Sequence, residues 1–267
     1  MKQRLISAFF GILILILVLF SSQSVFDVIV AIISTMAIYE VINAVGLKEY
    51  KLMKYTALLM PAVLTLASCY SYESISPCVY LFVAVFLILM LFNHKKYTFA
   101  KTAMFITVSV MLSVSFLHVG MIRKLDNSNL DLLVLLIGCW ITDSCAYFAG
   151  YFLGKHKLAP TISPKKTIEG SVGGVVGVIV ILIAYAYVAA NIMNVGVNIY
   201  SVILVGVICG IFSQLGDLCA SVIKRENDVK DFGNIMPGHG GVMDRFDSFL
   251  FVAPIVYYIL NIYPIFV

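Results

Sequence analysis

The sequence predicts an all-α, polytopic integral membrane protein of about nine spanning helices, and three observations carry that expectation. Of its 267 residues, 61% are apolar and only 12% are Asp, Glu, Lys or Arg, about half the charged share of an ordinary soluble domain. Apolar runs recur along the whole chain, each near the roughly 20 residues that a spanning helix requires. Cations gather in alternate connecting segments, as in a chain that crosses a bilayer back and forth. The composition excludes a soluble cytosolic enzyme, a nucleic-acid-binding module and a disordered chain, because none of these can solvate so much apolar surface.

In order, the apolar runs occupy residues 5–20, 25–45, 55–71, 77–92, 102–122, 131–153, 172–192, 199–220 and 249–265. None shows strand-type alternation between regular turns, so a β-barrel is not expected. The first run follows Lys2 and Arg4 and precedes Ser22 and Ser24, as a signal peptide would, but the runs after it favour an uncleaved first span. No internal repeat suggests a two-fold transporter architecture. The expected organisation is one membrane domain over 1–267. Within it, residues 1–130 form spans one to five, and 131–267 form the C-terminal catalytic helices with loops 154–171 and 221–248. Six cysteines lie in or beside apolar runs without paired spacing, so neither a disulfide framework nor a zinc site is expected.

Orientation follows from the cations. With the N-terminus inside, the inner segments carry Lys2, Arg4, Lys48, Lys51, Lys54, Lys95, Lys96, Lys101, Lys155, Lys157, Lys165, Lys166, Lys224, Arg225, Lys230 and Arg245. Only Arg123 and Lys124 fall outside, so 18 − 2 = 16 of the 18 cations share one side. The C-terminus then faces outward, and both long loops face the cytoplasm.

Charged residues inside spans are costly and are candidate functional groups. Glu40, Asp143 and Asp217 qualify, each open to a structural reading as an ion pair or a hydrogen-bonded helix contact. Asp217 precedes Lys224 by seven residues, ~10 Å along a helix, and Asp143 precedes Lys155 by twelve, ~18 Å. Asp244 and Asp247 are three apart and share a face if that turn is helical. Such oxygen donors suit Mg²⁺, which takes one or two carboxylates plus substrate phosphates and water. Asp217 and Asp244 bracket one loop and could meet across a hairpin of helices.

The same loop holds groups suited to phosphate. Lys224, Arg225, Lys230 and Arg245 supply cations, and Arg grips phosphate oxygens bidentately. Pro237-Gly238-His239-Gly240-Gly241 forms a tight turn whose amides can approach an anion closely. His239 can donate to phosphate or transfer a proton. In the other loop, Pro164 disfavours helix at Ser163, and Thr167 or Ser171 can cap the helix that follows. Lys165 and Lys166 beside that helix N-terminus make an anion site or serve topology alone. Gly173, Gly174 and Gly177 permit close helix packing. A Walker motif, a GxSxG nucleophile and the DGxxAR…GxxxDxxxD pattern of CDP-alcohol phosphotransferases are all absent from the sequence. His94 and His118 are isolated and read as structural or interfacial.

Taken together, Ser221-x-x-Lys224-Arg225-x4-Lys230-Asp231-x5-Pro237-x-His239-Gly240-Gly241-x-x-Asp244-Arg245-x-Asp247 resembles the hallmark of the phosphatidate cytidylyltransferases, the CDP-diacylglycerol synthases. Ser163-Pro164-Lys165-Lys166-Thr167-x-Glu169-Gly170, Asp143-x-x-Ala146-Tyr147 and Ser213-Gln214-x-Gly216-Asp217 are similar to further segments of that family. Met236 stands where the family more usually has a branched or aromatic apolar residue. The resemblance covers the C-terminal half well, and the N-terminal half in span count and apolar character only. It implies an inner-membrane enzyme that joins CTP to phosphatidic acid, with its active site facing the cytoplasm. Its products would be CDP-diacylglycerol and pyrophosphate. It also implies a cation pair at Asp217 and Asp244, Mg²⁺ and a second cation, K⁺, and it suggests a homodimer in the bilayer. Asp217, Asp244, Lys224 and Asp247 are the expected catalytic residues. Substrate contacts are expected from Lys165, Lys166, Lys224, Arg225, Lys230, Asp231, His239, Gly240, Gly241 and Arg245. The competing readings are a nucleotidyltransferase for another lipid phosphate and a membrane transporter.

Overall fold

The computed structural model describes residues 11, 13–236 and 240–267. Among them, seven helices are long and apolar enough to cross a membrane, and the chain is all-α and polytopic. These seven coincide with the second to eighth apolar runs. The last run holds a shorter helix, Phe249–Ile262, and the first lies partly outside the described residues, with 13–19 helical. Helix is the only open choice for such segments, because lipid offers backbone N–H and C=O groups no partner. That constraint overrides the low helix propensity of β-branched stretches such as Val28-Ile29-Val30. By contacts the chain divides into two compact units, Met1–Gly120 with Glu226–Phe246, and Met121–Arg225 with Asp247–Val267.

The first unit contains α1 (Gln23–Ala44), α2 (Lys51–Tyr70), a 3-10 turn at Tyr72–Ser74, α3 (Ile75–Phe92) and α4 (Phe99–Ile122, up to Gly120). Gly46, at φ +73°, ends α1, and the Leu47 amide returns to the Ile42 carbonyl at 3.0 Å. This is the left-handed glycine stop that satisfies a helix's last carbonyls. Ile38, Ile42, Met53, Met60, Leu64, Phe86 and Phe105 are fully buried, and the Phe86 and Phe105 rings stack with centroids 6.2 Å apart. Outward, Leu66, Leu91 and Phe92 are largely exposed, as suits side chains that face lipid. The unit also takes in Glu226–Phe246, which ends in the short helix α8 (Met243–Phe246) packed against α1. Most of the 221–248 loop thus belongs to this unit. The physical cause is visible at α1: Met243 donates its amide to the buried Glu40 carboxylate, and Phe246 packs edge-on against Phe116 of α4.

The second unit contains α5 (Ser128–Leu153), an antiparallel hairpin of β1 (Lys157–Ala159) and β2 (Ser163–Thr167), α6 (Ile168–Met193), α7 (Ile199–Glu226, up to Arg225) and α9 (Phe249–Ile262). The hairpin lies where the sequence predicts a loop. Thr167 caps α6, its Oγ1 accepting the Gly170 amide at 3.1 Å, as its position before a helix suggests. The glycines of α6 let α5 come close. A Cβ at Gly174 would lie 3.0 Å from the Ala146 Cβ, and one at Gly177 would lie 2.6 Å from the Cys145 Sγ. Gly206 and Gly210 of α7 make similar close approaches to Ile179 and Val175 of α6. Gln214 links these two helices, its Nε2 donating to the Ser171 carbonyl at 3.1 Å. All six cysteines are free.

Candidate functional site

In the second unit the signature residues gather around Asp217. The hairpin carries Lys166 to it, with Nζ 2.5 Å from Asp217 Oδ2. Ser221, one turn further along α7, has its hydroxyl 3.5 Å from Asp217 Oδ1. Successive side chains of a strand point to opposite faces, so Lys165 is exposed while Lys166 is half-buried. The two lysines, equivalent in sequence, are therefore unlike in position. Arg225 is exposed and donates from Nε to the Ile162 carbonyl at 3.4 Å, joining the end of α7 to the hairpin turn.

Beside this pair lies a second group of carboxylates in the same unit. Asp247 is buried and accepts the Ser248 amide at 2.9 Å. The Ser248 hydroxyl donates to Asp143 Oδ2 at 3.2 Å. Burial pushes the Asp247 carboxyl up to about 7; the Asp217 carboxylate adds to the rise, and the Lys224 ammonium opposes it. Asp143 contributes to the same rise, so four signature residues share one electrostatic neighbourhood. Gly216 allows it, because a Cβ there would lie 2.5 Å from the Asp247 carbonyl oxygen. Sequence reasoning singled out Asp143 without a partner; Ser248, its partner, carries no motif signal.

In the first unit the residues gather around Asp244. Its Oδ2 accepts two amides, from Phe232 at 2.9 Å and from Gly241 at 3.0 Å. Gly240 takes φ +85°, a conformation that costs glycine nothing, and its carbonyl accepts the Met236 amide at 3.0 Å to close the turn. A Cβ on Gly240 would lie 3.1 Å from Asp244 Oδ2 and 3.4 Å from Asp231 Oδ1, so both carboxylates face this glycine. Lys230 and Arg245 are exposed. His239 lies outside the described residues, with Pro237 and Gly238. Glu40 is almost wholly buried under the turn, and its Oε1 finds no hydrogen-bond donor among the described residues. An unmet buried acceptor costs about 1–3 kcal/mol.

Among the described residues no group of three or more His, Cys, Asp or Glu side chains is placed to hold a metal ion by itself. The donors present are hard carboxylate oxygens, one partnered by an ammonium and the other by backbone amides. Each of these carboxylates, taken by itself, suits an Mg²⁺ ion completed by water and substrate phosphate, not a closed protein cage.

The sequence profile of the cytidylyltransferase family matches residues 2–263. The chain belongs to the cytidylyltransferase family. It is 33% identical over 269 residues to the phosphatidate cytidylyltransferase of Bacillus subtilis (strain 168), with 98% of each chain covered. It is 31% identical over 262 residues to that of Staphylococcus aureus (strain COL), covering 96% of this chain and 97% of the relative. With the Staphylococcus haemolyticus (strain JCSC1435) protein of the same name, identity is 39% over 164 residues, 61% of each chain. The family match therefore extends through the N-terminal helices that carry Glu40, where the sequence alone displays only span count and apolar character.

Proposed function

We propose that the protein transfers a cytidylyl group from CTP to phosphatidic acid, yielding CDP-diacylglycerol and pyrophosphate. Relatives named phosphatidate cytidylyltransferase align along nearly its whole length. Within the molecule, the observation that carries the reading is the Lys166–Asp217 pair. It joins the two signature segments of the second unit at a carboxylate on a spanning helix, where an idle charge would be costly.

The lipid phosphate is already an anion and needs no strong base. One of its oxygens attacks the nucleotide α-phosphorus in line, the bond from that phosphorus to the bridging oxygen breaks, and pyrophosphate leaves with the electron pair. Such a transfer depends mainly on positioning and on neutralising charge. Lys166, Lys224 and Arg225 bind phosphate oxygens, with Lys165, Lys230, Asp231, His239, Gly240, Gly241 and Arg245 completing the substrate contacts. Asp247 holds its neighbours Asp217 and Lys224 in register. Asp217 and Asp244 hold the cations, Mg²⁺ and a second one, K⁺, which when bound neutralise the triphosphate and the leaving group. The enzyme lies in the cytoplasmic membrane with its N-terminus and active site inside, and acts as a dimer. Phosphatidic acid enters from the bilayer and CTP from the cytoplasm.

The test is incubation of purified protein with phosphatidic acid, Mg²⁺ and each of the four nucleotides, following pyrophosphate. CTP alone is expected to support release, and Asp217→Asn or Asp244→Asn to abolish it. Pyrophosphate release that requires a different lipid phosphate would point to a sister nucleotidyltransferase. Full activity in both aspartate variants would remove the metal assignment.

A further inference from the structure

We propose that Glu40 of α1 is the positioning residue for the turn that carries Asp244, and that it thereby governs how well that turn takes up its cation. The proposal rests on the cytidylyltransferase reading of the turn. Glu40 lies 203 residues before Met243, yet its Oε2 accepts the Met243 amide at 2.9 Å inside the first unit. Its side chain is 3% exposed, so a carboxylate has been taken out of solvent to make a main-chain contact.

Two glycines are shaped around it. A Cβ on Gly241 would fall 2.6 Å from Glu40 Cδ and 2.7 Å from Oε1; one on Gly233 would fall 2.6 Å from Cδ and 2.9 Å from Cγ. Neither glycine has the positive φ that Gly240 requires, so backbone conformation does not explain them. The Glu40 carboxyl does, because it occupies the space where their side chains would be.

Those glycines mark the two backbone stretches that donate to Asp244. Gly241 gives its own amide to Asp244 Oδ2, and the other donor, Phe232, is the residue before Gly233. Glu40 thus fills the gap between the two stretches and sets their spacing, while its bond to Met243 fixes the start of α8. Asp244 inherits its orientation from this arrangement. A group that orients a metal ligand through the backbone behaves as an outer-shell partner, whose loss costs roughly 10–100-fold in metal affinity or activity.

The test compares the wild-type protein with Glu40→Gln, Glu40→Ala and Gly241→Ala in detergent with CTP. Two readouts are followed: the Mg²⁺-induced rise in melting temperature, and the Mg²⁺ concentration for half-maximal CDP-lipid formation. Glu40→Ala is expected to raise that concentration about tenfold or more and to shrink the melting shift, with the KM for phosphatidic acid little changed. Glu40→Gln keeps the shape and a carbonyl acceptor for Met243, and should restore most of the response. If Glu40→Ala fails to fold, Gly241→Ala carries the test, because its methyl group displaces the same carboxyl from the other side. A normal Mg²⁺ response in Glu40→Ala or Gly241→Ala would overturn the proposal. So would a loss of melting temperature and phosphatidic acid affinity with the Mg²⁺ response intact. A wild-type protein that does not respond to Mg²⁺ would overturn the metal reading of Asp244 itself, and with it this proposal.

Discussion

Lys165 and Lys166 illustrate how far residue type and position can part. Both are expected to handle phosphate, and both sit in the same five-residue strand. The pleat sends one outward and the other onto Asp217. Lys166→Met is therefore expected to lower cytidylyl transfer roughly a hundredfold, the scale of losing one donor aimed at developing charge. Lys165→Met should cost clearly less, with incorporation of labelled CTP into lipid as the measure. Equal losses in the two variants would mean that the hairpin turns over during the reaction, or that its lysines act only as diffuse positive charge. Glu40 makes the complementary point. Its residue type marks it as a candidate, and only its neighbours, Gly233, Gly241 and Met243, state a role.

At the scale of elements, α5 and α6 of the second unit meet by the close approach of small residues. Lipid is as apolar as leucine, so spanning helices gain little by hiding apolar side chains from it, and tight packing of small residues takes over. The face of α6 bearing Gly170, Gly173, Gly174 and Gly177 meets Ala146, Ala149 and Cys145 of α5 in this way. It brings the hairpin between those helices, and with it Lys166, to a fixed place. Gly174→Leu is expected to destabilise the protein by about 1–3 kcal/mol through overpacking, seen as a lower melting temperature in detergent. Val172→Leu on the exposed face of the same helix should change little. If the two variants melt alike, the glycine face is not what holds α5 and α6 together.

At the scale of the whole molecule, charge placement makes its own prediction. The positive-inside rule predicts that the segment around Lys95 faces the cytoplasm and the segment around Asp126 faces outward. In inverted membrane vesicles, and with the six native cysteines replaced by serine, a membrane-impermeant maleimide should label Asn93→Cys and spare Asp126→Cys. The reverse pattern would invert the topology and place both signature loops on the wrong side for CTP.

Composition, run length and cation placement make the membrane fold legible in the chain itself. They are properties of local stretches, and lipid turns each apolar run into a helix whatever its neighbours. The motif residues are legible for a similar reason: carboxylates, cations and glycines concentrate in two loops of an otherwise apolar chain. Partnership is not legible there. Nothing in the chain announces that Lys166 and not Lys165 meets Asp217, that Ser248 serves Asp143, or that 226–246 folds with the N-terminal helices. Those choices depend on strand pleat, on helix-to-helix distances set by glycines, and on a carboxylate at residue 40 meeting an amide at residue 243. Such contacts are settled only when the segments pack in three dimensions.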